Sequence, residues 1–496
     1  MSETLEKQST TADVKDETPI GPDSPAQEKV SEVSKSSIED DEEPVPHLHA
    51  KTWLTVFAVC LIYFAQLINV VGAGAVSPSH KLTFKVLLTS SKRAQDISMV
   101  LGNSSKSVWL TSTITIFTTV LSPPVSQAAD YWGRRWFLII LTGCGAIGAI
   151  IVARATSMDM AIGGMCVAGL SYGAQPLLHA VASEVLPRKY RPFAQAMDNV
   201  AAALGGLVGL LAGGAMTRNN NHAGFRNYWY FTFAIYVVAT MLCVVLYNPP
   251  SQHSQMGLTN GEKLQKLDWI GYALLASGLV LFSIGFSWSQ NPYAWTDAHI
   301  LGPFLIGCAL IVALAAYETK FKKDGMFHHG LFSNGWNFTI ALVCVFVEGL
   351  SFFAANNYFA FEVSVLYETD PLRTGIRYGI NFIVYAISAV VAGVLCSSTK
   401  RIRLPTVIAF CSMIIFFICM ATATPGSSNA VWAYPIFLGI GLGVCLCALL
   451  TAAQLSTPRE LIAITSGLMI SVRSLGGSVG LAVCKSMSGF VQEIFN

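Results

Sequence analysis

Charge is scarce in this 496-residue chain, where only 12% of residues are Asp, Glu, Lys or Arg. An ordinary soluble domain carries about twice that share. The distribution is also uneven. Residues 1–50 hold 13 acids and 4 lysines, a net of −9, which leaves +11 on residues 51–496 from 27 basic and 16 acidic side chains. A soluble fold of that size cannot cover its surface with so few charges, which excludes a large soluble enzyme. Nucleic acid is excluded as a partner, because the near-neutral balance offers no basic face. Paired cysteines are missing too. The cysteines fall singly in apolar runs (Cys60, Cys144, Cys166, Cys243, Cys308, Cys344), and Cys445 and Cys447, two apart on an apolar stretch, do not have ligand spacing. They read as small packing residues. No Gly-x-x-x-x-Gly-Lys-[Ser/Thr] loop is present, so ATP is not the direct energy source. No clustered nucleophile and base, and no metal-ligand spacing, point to an enzyme, a cofactor or a metal site.

What fills the chain instead is apolar sequence, 53% of the total. A membrane-crossing helix needs about 20 mostly apolar residues. Thirteen stretches meet that need: 52–75, 107–128, 136–154, 159–183, 194–216, 228–247, 268–288, 299–318, 336–356, 374–397, 404–421, 431–455 and 461–485. The expected fold class is an all-α polytopic membrane protein with the lipid bilayer as its main surroundings.

Residues 1–50 have no aromatic residue and no apolar period, so they read as a disordered acidic tail. The opening residues show no basic segment followed by an apolar one, so the tail is not a signal peptide and is expected in the cytosol. With the tail inside, 14 basic residues mark the inner connections and 10 the outer ones, as the positive-inside rule requires. Four of the outer ten, Lys81, Lys85, Lys92 and Arg93, lie in one stretch. Residues 76–93 correspond to 54 nucleotides starting with a Val-Ser that a splice donor would encode, so they read either as a retained intron or as a tolerated outer loop.

The halves resemble each other weakly. A basic turn follows the second span of each half, at 133–135 and 400–403, and a Pro-Arg turn follows the fourth, at 186–191 and 457–460. Paired bundles with a site between them are a transporter architecture, although short inner loops are basic in any case. The expected division is an N-terminal bundle at 51–247, a linker with two spans at 248–334 and a C-terminal bundle at 335–496.

The strongest motif is Ser126-Gln-Ala-Ala-Asp130-Tyr-Trp-Gly133-Arg134-Arg135. Asp130 falls at a helix C-terminus, where the dipole disfavours an acid, so it should find a cation or a helix N-terminus. Gly133 permits the turn. Such an inner latch can hold one bundle against the other. Gly205-x-x-x-Gly209-Leu-x-x-Gly213-Gly214 permits close helix approach on the fifth span. Glu184, Pro187 and Arg191 form the loop between the fourth and fifth spans.

These segments resemble the major facilitator superfamily. Its inner-loop signature is Gly-x-x-x-Asp-Arg-x-Gly-Arg-Arg, with Ser126 and Tyr131 here replacing the first Gly and first Arg. Its antiporter signature is Gly-x-x-x-Gly-Pro-x-x-Gly-Gly, with Leu210 here in place of Pro. The texts at 59–74, 121–130, 169–176 and 473–480 are similar to fungal trichothecene efflux pumps. The resemblance implies two six-helix-type bundles plus two linking helices, as in the fourteen-span drug:proton antiporter group. A fourteenth span is not found before the chain ends. The resemblance implies that Asp130 stabilises the outward-open state. The family's usual fourth-span arginine is absent from 163–169.

Ionisable groups inside spans are costly and therefore functional candidates. Glu348, at mid-span, is first among them, either as a proton carrier or as an acid paired to a neighbouring helix. Asp198, His179, Gln175, Gln66, Asn69 and Arg473 complete the candidates for coupling or substrate contact. Phe346, Phe352, Phe353, Tyr358 and Phe359 form an aromatic run suited to a bulky apolar substrate or to helix packing. The expected function is proton-coupled export of a small apolar toxin, drug or secondary metabolite by a monomer in the plasma membrane or an internal one. Siderophore-iron uptake, a non-transporting sensor and an inactive truncated product are the alternatives.

Overall fold

A computed structural model describes residues 50–73, 97, 100–101, 106, 108–186, 190–216, 223–249, 259–288, 296–321, 325, 331–332, 336–367, 371–424, 426, 428–457 and 461–495. The acidic stretch 1–49, the 76–93 stretch and Pro187 lie outside these residues. Among the described residues the regular elements are all helical.

The first six spans are α1 (Ala50–Ala73), α2 (Val108–Trp132), α3 (Arg134–Ala153), the pair α4 (Met158–Gly169) and α5 (Gln175–Val185), α6 (Arg191–Met216) and α7 (Gly224–Leu246). A short α8 (Asn260–Lys266) leads into α9 (Trp269–Trp288), which with α10 (Ala298–Lys320) forms the linking hairpin. The last five spans are α11 (Asn337–Leu366), α12 (Pro371–Thr399), α13 (Arg403–Ala421), α14 (Tyr434–Leu455) and α15 (Ile462–Phe495). Each of the thirteen apolar stretches thus lies on a helix or, for the fourth, on a broken one. Ten of these helices are individually long and apolar enough to cross a membrane.

Two of the other three show how polar sequence is accommodated. Helix α2 is rich in Ser and Thr, whose hydroxyls bond back to carbonyls one turn earlier. Thr113 donates to Trp109 O, Thr118 to Ile114 O, Thr119 to Thr115 O and Ser126 to Ser122 O, all at 2.6–2.7 Å. This bonding keeps those donors out of lipid. The fourth span breaks at a 3₁₀ turn, Leu170–Ala174, between Gly169 and Pro176. Its freed Ser171 carbonyl accepts from Gln66 Nε2 at 2.7 Å, which meets the requirement that backbone groups at membrane depth be satisfied. Gln66 and Asn69 therefore brace the break. The Asn69 amide faces Tyr236 OH at 3.5 Å, and Tyr236 OH lies 3.1 Å from Ser171 Oγ.

Between the halves, the most extensive packing is α6 on α12 and α2 on α15. Helices α2 and α12 are the second spans of their halves, and α6 and α15 the fifth. The two contacts therefore exchange under the two-fold repeat that the loop motifs suggest. The linking hairpin packs through α9 on α2, where Tyr272 OH donates to Gln127.

Candidate functional site between the two halves

The turn at 133–135 and the facing ends of α5, α6 and α14 meet at one end of the bundle, here termed the basic end. There Arg134 is buried and joins two carboxylates: Nη2 donates to Asp130 Oδ1 at 3.0 Å, and Nη1 donates to Glu184. Gly133 (φ 90°) makes the turn that lets Asp130 and Arg134 face each other. Arg135 bonds Asn248 at 2.8 Å and the Val244 carbonyl at 3.0 Å. These partners belong to the first half and tie spans two, three, four and six together. One contact of the latch with the second half is steric. A Cβ on Gly467 of α15 would strike Ser126, so a glycine on the opposing helix supplies the space that a glycine at 126 would otherwise give.

Bonds between the halves come from a polar cluster in which sequence reading singled out Arg191 and His179 but not Gln454, Gln195, Ser183, Asn199 or Tyr385. Gln454, near the end of α14, receives Ser183 Oγ–H at 2.6 Å and Gln195 Nε2–H at 3.3 Å on its side-chain oxygen. Its own amide donates to Ser466 at 2.9 Å and to the His179 carbonyl at 3.3 Å, and its carbonyl accepts from Arg191 at 3.3 Å. Tyr385 OH donates to Asn199 at 2.7 Å. Each neutral bond contributes about 1 kcal/mol net, so the set stabilises closure by a few kcal/mol. A proton or a ligand can tip such a balance. A signal was available on α6: Arg191, Gln195, Asp198 and Asn199 share one helical face in otherwise apolar sequence.

Two buried ionisable pairs lie behind this gate. On α5 and α6, His179 Nδ1 is 2.8 Å from Gln195 Oε1 and 3.5 Å from Asp198 Oδ2, and Cys60 Sγ donates to Asp198 Oδ1 at 3.4 Å. On α11 and α15, Glu348 is paired with Arg473, whose guanidinium also lies 4.9 Å from the Phe352 ring centroid. Tyr63 stands between the pairs, edge-on to His179 at 5.2 Å, and accepts from Gln175 Nε2 at 3.2 Å.

The other candidates pack helices. Gly205 faces the Phe64 backbone of α1, and Gly209 faces Ile68 of α1 and Tyr228 of α7. Gly213 and Gly214 are buried on the same helix. Phe353 covers Gly477, and Phe359 packs on Tyr378 and Phe416. The side chain of Tyr358 is outside the described residues.

The geometry has counterparts among known proteins. A family model described as Major Facilitator Superfamily matches residues 59–481. The chain is 25% identical over 470 residues to the MFS-type efflux transporter pyiT of Pyricularia grisea, covering 92% of this chain and 75% of that one. It is 24% identical over 456 residues to the efflux pump FUS6 of Gibberella fujikuroi, covering 90% and 77%. Among solved structures, the human organic anion transporter MFSD10 superposes with a TM-score of 0.57 at 14% identity, covering 89% of this chain and 95% of that one. The proton:xylose symporter XylE superposes with a TM-score of 0.55 at 12% identity, covering 90% and 96%. At these identities the structures share the fold alone.

Proposed function

Because the chain belongs to the major facilitator superfamily, we propose that this multi-pass membrane transporter exports a small, largely apolar compound by alternating access, driven by inward proton flow. The observation that carries the reading is the closed gate at the basic end, where Ser183, Gln195 and His179 of the first half meet Gln454 of the second. A gate made of few hydrogen bonds, mostly neutral with Arg191 as a charged donor, is suited to repeated opening. The basic end is the cytosolic end by the positive-inside rule, so the closed gate belongs to an outward-facing or occluded state. The relatives named efflux transporter and efflux pump support the direction. The aromatic residues Tyr63, Phe352 and Tyr385, buried around the two ionisable pairs, support a flat apolar substrate.

Of the two pairs, Glu348–Arg473 is the fixed one. Arginine does not release its proton, and protonating Glu348 would strand a buried cation. Expression in a yeast strain without its own drug pumps, with cell accumulation of fungal metabolites measured by mass spectrometry, tests the export direction. Lower accumulation is expected; higher accumulation would favour uptake.

A further inference from the structure

We propose that His179 and Asp198 form a proton-binding pair that must be neutral as a unit for the basic end to close, with Gln195 and Gln454 carrying its state across the halves. The direction of coupling rests on the export reading; the gating itself does not.

The pair is built for one exchangeable proton. Both side chains are fully buried, Asp198 Oδ2 faces His179 Nδ1 at 3.5 Å, and His179 Nε2 has no hydrogen-bond partner among the described residues. Imidazole and carboxyl together hold a neutral state in two ways: a protonated imidazole beside a carboxylate, or a neutral imidazole beside a carboxylic acid. Releasing one proton to water from either state leaves a lone carboxylate, net −1, which a dry interface does not tolerate. The surroundings offer no compensation. Among the described residues, Cys60 and the ring of Tyr63 reach the pair from α1, Gln195 from α6, and Gln454, at the His179 carbonyl, from α14; Asn199, Tyr385 and Ser466 lie one hydrogen bond further out. The charged groups nearby are already engaged. Arg191, two turns along α6, bonds the Gln454 carbonyl, and Glu348 and Arg473 hold each other.

Transmission follows from amide geometry. The Gln195 oxygen faces His179 Nδ1, so a proton on Nδ1 orients the amide. The amide nitrogen then points to Ser183 Oγ at 2.6 Å and to Gln454 Oε1 at 3.3 Å. The same amide donates to the His179 carbonyl at 2.9 Å, so Gln195 ties both the imidazole and its backbone to Gln454. Gln454 is in turn held by Ser466 and the His179 carbonyl. Loss of the proton therefore leaves an uncompensated charge beside the central hydrogen bonds of the closed interface.

The test uses the full chain in lipid nanodiscs. Spin labels on an encoded ketone amino acid at positions 245 and 404 report the distance between halves. Val245 and Leu404 are 75% and 65% exposed at the basic end, one in each half. The expected result is a short distance at pH 5.5 giving way to a longer one at pH 8.5, with the ratio of the two shifting at least tenfold. Asp198→Asn should hold the short distance at every pH. If that variant does not elute as a single species, Asp198→Ala, which also removes the ionisable carboxyl, should flatten the pH response in the same way. A wild-type distance that ignores pH, or a variant that follows the wild-type curve, overturns the proposal. No transported compound enters this measurement, so its failure removes the proton pair and leaves export standing, while failure of the export assay leaves the gating result intact.

Discussion

Arg473 grips Glu348 through two nitrogens: Nε–H donates to Oε2 at 2.6 Å and Nη2–H to Oε1 at 3.0 Å, with both side chains buried. A bidentate pair of this kind fixes the rotation of α15 against α11. Removing one partner strands the other charge. Arg473→Leu and Glu348→Leu are each expected to lower stability by about 3–5 kcal/mol, whereas the double replacement regains most of the loss. Thermal unfolding of the three purified variants checks this. A double variant no better than the worse single one would mean that the pair is not self-contained.

Arg134 and Arg135 adjoin in sequence but should differ sharply in effect. Arg134 is buried between Asp130 and Glu184, and its loss leaves two carboxylates facing each other at the basic end. Arg134→Gln is expected to cost about 3 kcal/mol or more. Arg135 makes exposed bonds to Asn248 and Val244, and Arg135→Gln should cost under about 1 kcal/mol. Melting temperatures measured side by side would show the contrast; equal losses would contradict the assignment of Arg134 as the bridging residue.

Close approach of α11 and α15 depends on glycine. A Cβ on Gly349 would land on the Arg473 carbonyl oxygen, one on Gly476 on the Phe346 carbonyl, and one on Gly480 would sit 2.7 Å from the Leu350 carbonyl. Gly349→Ala should therefore separate the helices and destabilise the fold. Gly163, on the exposed face of α4, has nothing within 4 Å of a built Cβ. Gly163→Ala should raise stability by about 0.5–1 kcal/mol, as expected for glycine in a helix interior. Thermal unfolding of both variants gives the two signs.

A proline and a serine on different helices form a third testable pair. Pro123 has no N–H, so the Thr119 carbonyl one turn earlier loses its intrahelical donor. Ser471 of α15 supplies a replacement at 2.7 Å across the halves. Ser471→Ala should cost about 1–3 kcal/mol in the native background. In a Pro123→Ala background, where the N–H is restored, that cost should shrink towards zero. A double-mutant cycle that shows no coupling would contradict this role for Ser471.

The contrast between what could and could not be read from sequence has a physical basis. Apolar length marks a span wherever lipid is the solvent, so all thirteen stretches fell on helices, and Gly169, Gly173 and Pro176 already mark the break in the fourth. Partner identity across the interface is different. Gln454 lies 271 residues from Ser183, and a lone glutamine in an apolar helix reads the same whether it packs or gates. Its partners depend on how two helices rotate, which no local spacing records. Arg134 at the latch was legible as a motif, but its pairing with Glu184 was not, because that depends on where the end of the fourth span comes to rest.

Proton-driven export is read out by transport itself. Yeast expressing the chain should accumulate less of a fungal-metabolite panel than control cells, and a proton uncoupler should abolish the difference. Export that persists unchanged with the proton gradient collapsed would contradict the claim, as would higher accumulation in the expressing cells.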